Sequence, residues 1–245
     1  MSARKPLVLA LSALAAAPAA AGAAGPRVDA MVVGRSQVLW GARTVAAGPA
    51  TLRAGGRACG VAAGTPLSVL AWAHRLGGPG LVLRDYGACS SNASSASGLF
   101  VTKVGQDANR GQDGWVYKVG NRLGTAPSGD LAGPFGTGRR LRNGQRVLWF
   151  WCAMGSSGCR RTLAVSGPRT AAPGATLTVR AYDDHGRGRA AAGALVAFTR
   201  AGATVRARVD AGGRTRIPGG LRGSYGVQAT AAGRVPSFPV RVSIR

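Results

Sequence analysis

Four cysteines, Cys59, Cys89, Cys152 and Cys159, set the strongest constraint on how this chain folds, provided it reaches an oxidising compartment. The first residues bear on that condition. Arg4 and Lys5 form a short basic segment, Leu7 to Ala17 an apolar stretch, and small residues follow in A-x-A register at Ala19/Ala21 and Ala21/Ala23. This is the pattern of a secretory signal peptide over residues 1–24, with the mature chain beginning between Gly22 and Pro26. An N-terminal transmembrane anchor competes with that reading, but the apolar run is about half of the ~20 residues that cross a bilayer. No cysteine lies near the cleavage region for lipid attachment, and no hydrophobic tail precedes Arg245. The expectation is a secreted, extracellular protein with no membrane anchor in its mature form.

In such a compartment an even cysteine count reads as disulfides, and four cysteines allow three pairings. Cys152 and Cys159 frame the stretch CAMGSSGC, whose Gly155, Ser156, Ser157 and Gly158 supply a flexible turn. Cys152–Cys159 is therefore the easiest bridge to close, and Cys59–Cys89 follows by elimination. A four-thiolate zinc site is the competitor; it normally brings its cysteines in C-x2-4-C pairs, and neither interval here is that short.

A core built by this chain is limited, because 46 of the 245 residues are alanine and 39 are glycine. The eight acidic residues are all aspartate, and the only close pair is Asp183–Asp184, which would point to opposite faces of a strand. The histidines, His74 and His185, lie far apart, so a His-rich metal centre is excluded. His74 reads as a half-buried residue of a helix. No nucleophile, base and metal set stands out, and the chain is expected to be non-enzymatic, with no cofactor and no metal. The net charge of +24 is spread almost evenly along the sequence. Its densest cluster is Arg139, Arg140, Arg142 and Arg146, without the interleaved aromatics of a nucleic-acid binder. Adsorption to cell-wall or other anionic surface polymers fits this charge better than a specific nucleic-acid partner.

Two textures divide the chain. Residues 28–165 hold all four cysteines and mix strands with one helix, which starts at the N-cap Thr65 with Pro66 at its first position and ends at Gly77–Gly78. Strands are expected over 30–33, 37–45, 81–86, 99–104, 115–119, 146–151 and 161–165. Residues 166–174, rich in Gly, Pro and small polar groups, read as a linker. Six short strands then follow in 175–245, the pattern of a small β-sandwich. The fold class expected is mainly β, a small α+β domain followed by a sandwich, the two folding independently. Within the first domain, DANRGQD places oxygens at alternate positions from Asp107 to Asp113. It lacks the glycine and the glutamate of a calcium loop at the required places, so a polar hairpin turn is preferred to a weak calcium site.

The aromatic residues are the candidate binding elements. Trp115 and Tyr117 share one strand face, as do Trp149 and Trp151 on another strand. Paired, these strands present Trp, Tyr, Trp and Trp side by side. Such a face is either the core of an alanine-rich domain or a surface for a flat, apolar ligand, with Lys118 and Asn121 as polar anchors on the same hairpin.

These residues also carry a resemblance. GWVYKVGN (114–121) followed by LRNGQRVLW (141–149), with GTPLSVL (64–70) upstream, resembles the signature of the DUF4430 family, which is similar to the small C-terminal β domain of the vitamin B12 carriers transcobalamin and intrinsic factor. The resemblance covers residues 28–165 and implies a transcobalamin-like fold; the B12 carriers hold their ligand between this domain and a large helical barrel with no counterpart in 245 residues, so the ligand does not follow from the resemblance, and a corrinoid such as cobalamin or a similar flat cofactor on the aromatic face is the alternative reading. Farther on, GALV (193–196), DAGG (210–213) and GSY (223–225) resemble bacterial Ig-like repeats and the carboxypeptidase regulatory-like domain, implying an Ig-like, non-catalytic module. The function expected is that of a secreted binding or surface-interaction protein, with corrinoid capture as the alternative.

Overall fold

The computed structural model describes residues 25–156 and 158–245; the signal-peptide reading lies outside these. The chain is mainly β, with 47% strand and 7% helix. Its first part contains β1 (Arg27–Val33), β2 (Val38–Ala46), β3 (Ala50–Ala54), β4 (Arg57–Val61), α1 (Pro66–Arg75), β5 (Leu81–Asp85), β6 (Leu99–Val104), β7 (Asp107–Ala108), β8 (Gly114–Val119), β9 (Arg122–Leu123) and β10 (Arg146–Cys152). These strands form two sheets, ordered β2-β1-β10-β8-β9 and β4-β3-β5-β6-β7. In the first sheet β1 pairs parallel with β10, with Met31 opposite Leu148 and Val32 opposite Trp149.

The sequence of β10, RVLWFWC, has no polar alternation because both faces of its sheet are covered. Val147, Trp149 and Trp151 point into a core shared with Val28, Val32, Leu67, Leu70 and Val101. Leu148, Phe150 and Cys152 point the other way, to Met31, Val33, Cys159 and Val235. Helix α1 begins as expected. Thr65 accepts a hydrogen bond from the Ser68 N–H, Pro66 supplies a first position that needs no donor, and Gly77 follows the end at φ 83°. His74 is exposed in the last turn, its Nδ1 3.0 Å from the Pro79 carbonyl, which corrects the half-buried expectation.

The second part contains β11 (Thr162–Ser166), β12 (Thr170–Ala171), β13 (Thr176–Tyr182), β14 (Gly188–Ala190), β15 (Leu195–Arg200), β16 (Ala203–Arg208), β17 (Arg214–Arg216), β18 (Gly223–Thr230) and β19 (Val240–Ile244). One sheet holds β11-β13-β14 with β17 also on β13, and the other runs β12-β19-β18-β15-β16. Leu177, Val179, Val196, Phe198, Ile217, Val227 and Ile244 fill the space between them. β16 is an outer edge with Arg206 and Arg208 exposed.

Strand 162–166 differs from its sequence assignment to the first domain. It pairs antiparallel with β13, Val165 opposite Val179, because Leu163 and Val165 complete the sandwich core. The stretch read as a linker is then a turn inside the sandwich, and its Thr170–Ala171 pairs with β19. The chain crosses between the two cores in residues 153–161, where Cys152–Cys159 is bonded. Cys59–Cys89 ties β4 to the loop that precedes a short 3-10 helix, Ala93–Gly98.

Candidate functional site

The structure assigns the aromatic quartet to the core. Trp115, Tyr117, Trp149 and Trp151 are between 2% and 6% exposed, so the face read as a possible ligand platform is covered by the second sheet and α1. The strands do pair, the condition on which the shared face depended, with Trp149 opposite Tyr117 and Trp151 opposite Trp115. Each indole N–H is already spent on a backbone carbonyl: Trp115 on Asp107 at 2.7 Å, Trp149 on Pro66 at 3.0 Å and Trp151 on Ala108 at 3.2 Å. The Tyr117 hydroxyl donates to Ala126 O at 2.6 Å, and its ring lies against Gly124, where a Cβ would collide with the ring. Burial, reinforced by the negative charge of Asp130, raises the Tyr117 phenol well above its ordinary range.

Lys118 and Asn121 do not serve as anchors beside these rings. Lys118 alternates to the opposite face of β8 and is fully buried against the second part of the chain. Its ammonium donates to Asp183 O at 2.9 Å and Tyr182 O at 3.3 Å, and lies 3.4 Å from Asp184 Oδ1. Asn121 is exposed at the tip of the β8–β9 hairpin, near Gly186. The DANRGQD stretch is a polar hairpin whose side-chain oxygens serve the protein. Asp107 Oδ2 accepts from Arg35 N, Asn109 Oδ1 from Trp115 N and Asp113 Oδ1 from Met154 N. Among the described residues, no cluster of three or more His, Cys, Asp or Glu side chains could hold a metal ion.

What three of the four rings do provide is the floor of a groove. A space of about 480 Å³ opens between β6 on one side and β8, β9 and the 124–128 segment on the other. The buried rings of Trp115, Tyr117 and Trp149 close its inner wall, while Tyr86 and Phe100 stand at its rim, 65% and 47% exposed. Those two rings meet edge to face at 6.0 Å between centroids. Val116, Leu123 and Pro127 add apolar surface, Ser97, Thr125 and Ser128 add neutral polar groups, and no lining residue is charged at neutral pH. Sequence reasoning missed Tyr86 and Phe100. Phe100 was accessible by alternation, since buried Leu99 and Val101 flank it on β6 and turn it outward.

Comparison with known proteins supplies no relative: no family model, no curated protein and no solved structure matches the chain.

Proposed function

We propose that this chain is a secreted, non-enzymatic binding protein whose first part receives an uncharged, largely apolar ligand in the groove between β6 and β8. The observation that carries this reading is the pair of exposed rings, Tyr86 and Phe100, at the rim of an apolar groove without charged lining. Apolar surface concentrated in a concave site, with a few neutral polar groups to orient the ligand, is the usual composition of a small-molecule pocket. The export pattern of the first residues and the two disulfides support an extracellular setting. The DUF4430 and Ig-like resemblances remain part of the proposal, as descriptions of a binding module and of the module that presents it. Corrinoid capture on the aromatic face is not carried forward, because the four rings that would stack on it are core residues.

Titration with the neutral apolar fluorophore N-phenyl-1-naphthylamine tests the reading. Saturable fluorescence enhancement is expected, weakened about tenfold by Phe100→Ser, since covering the half-exposed ring with ligand is worth about 1.4 kcal/mol, a part of what full burial of a phenyl side chain yields. Phe100 lies outside the core, so circular dichroism of the variant should match the parent. An enhancement that does not saturate, or that survives Phe100→Ser unchanged, would count against the groove.

A further inference from the structure

The seam between the two parts gathers arginines from three separate stretches. Arg35 lies in the β1–β2 turn, Arg160 and Arg161 follow Cys159, and Arg234 ends the turn closed by its own N–H to Ala231 O. Backbone bonds fix their proximity: Val235 N donates to Arg161 O at 3.0 Å and Leu163 N to Val235 O at 2.9 Å. Arg160 is held by donation to the carbonyls of Arg35, Gly34 and Trp151. Two hollows of about 260 and 370 Å³ share Arg160 and Arg234 in their walls; Arg35 completes the first and Arg161 the second.

Four guanidinium nitrogens here are buried without a hydrogen-bond partner among the described residues; Arg35 Nε and Arg161 Nη1 face the carboxylates of Asp107 and Asp183 at ion-pair distance, whereas Arg160 Nε and Arg234 Nη1, which line both hollows, face none. Buried donors without acceptors are costly, and the two of Arg160 and Arg234, in walls shared by both hollows, point to an acceptor that the protein itself does not supply. The local charge points the same way. Asp107 lies 3.7 Å from Arg35 and Asp183 lies 3.9 Å from Arg161, while Asp184 is matched by Lys118. Four guanidiniums against two carboxylates leave a surplus of two positive charges.

We propose that this arginine-lined seam binds a phosphate group. A phosphomonoester carries about −1.5 to −2 charges at neutral pH and three strongly accepting oxygens, which matches the surplus. A carboxylate offers one charge and two oxygens. The guanidinium fork suits phosphate oxygens where a lysine would give only a point charge; Arg160 spends its fork on backbone carbonyls and offers Nε alone, so Arg234 is the arginine with a fork and no carboxylate partner. The site is separate from the groove and does not depend on it. It also gives the charge of the chain a localised role, distinct from general adsorption to anionic polymers.

Calorimetric titration of the disulfide-intact protein with inorganic phosphate, at ionic strength held constant with chloride, tests the proposal. Saturable binding is expected, weakened about tenfold or more by Arg234→Gln and by Arg161→Gln, and unchanged by Arg206→Gln on the remote edge strand β16. Arg234→Lys keeps the charge and loses the fork; an intermediate weakening is expected, and this variant carries the test if the glutamine variant does not fold. Glycerol phosphate and poly(glycerol phosphate) titrated in parallel distinguish the source. The polymer's internal phosphodiesters carry one charge each, so weaker binding per phosphate than by glycerol phosphate is expected of a monoester site, and tighter polymer binding overturns the monoester reading in favour of a surface polymer. Absence of saturable binding up to about 10 mM phosphate, or an equal loss in Arg206→Gln, overturns the proposal.

Discussion

At position 118 a lysine ammonium sits between two β cores with no exposure to solvent, held by two carbonyls and the Asp184 carboxylate. Removing one member of a buried charge pair usually costs 3–5 kcal/mol, so Lys118→Ala is expected to lower unfolding free energy in urea by about 3 kcal/mol. Lys118→Met, which keeps the packing and removes the buried charge, is expected to cost less. The same residue sets a pH dependence. Burial lowers the Lys118 pKa from its ordinary 10.5, with Asp184 pulling it partly back. The unfolded chain therefore holds this proton to higher pH than the folded one. Between the depressed value and about 10.5 the unfolded state binds more protons, and this group's contribution makes stability rise with pH. Urea unfolding of parent and Lys118→Met across the alkaline range measures it. The expected result is a smaller upward contribution in the variant; identical pH profiles would show that the buried ammonium is not coupled to folding.

Among the elements, the two disulfides close loops of different length. Cys59–Cys89 spans 30 residues and Cys152–Cys159 spans 7. Chain-entropy arithmetic assigns about 3.7 kcal/mol to the longer and about 2.4 kcal/mol to the shorter. Paired Cys→Ser variants of each bridge, compared by urea unfolding, should keep that order; a larger loss for Cys152→Ser/Cys159→Ser would place the dominant effect in the native contacts of the seam, where Cys152 and Cys159 pack with Val235 and Phe150. The pairing was legible from one short glycine-bearing interval, and α1 from Thr65, Pro66 and the glycines that follow it. β3 and β4 were not, since ATLRA and RACGV offer little apolar contrast; Gly55 and Gly56, both at positive φ, form the hairpin turn that joins them. The shared face of Trp115 with Tyr117 and of Trp149 with Trp151 was readable from alternation, but the pairing of the two strands was not. Nor was the burial of the rings, because period-two alternation gives a side chain's face without saying what covers that face. The arginine seam left no local signal, its members being brought together by strands from opposite ends of the chain.

On the scale of the whole molecule, the face of β1 and β10 turned away from the first core is an apolar interface. Met31, Val33, Leu148 and Phe150 pack with Val235, and Phe238 flanks them. Together with Lys118, this favours a single cooperative unfolding transition over the two independent ones that a flexible linker would give. Calorimetry of the full chain should show one peak whose van't Hoff and calorimetric enthalpies agree; two separated peaks would contradict this. The parallel pairing of β1 with β10 has a consequence in time. Asp29 and Arg146 are register partners although 117 positions separate them. A chain emerging N-terminus first offers β1 only its antiparallel neighbour β2 until β10 follows, and the far side of that sheet waits longer still for Val235. Closing such distant contacts is slow. The topology itself thus postpones the native state until almost the whole polypeptide is present, and a nascent chain stays threadable through a narrow pore for as long as that delay lasts.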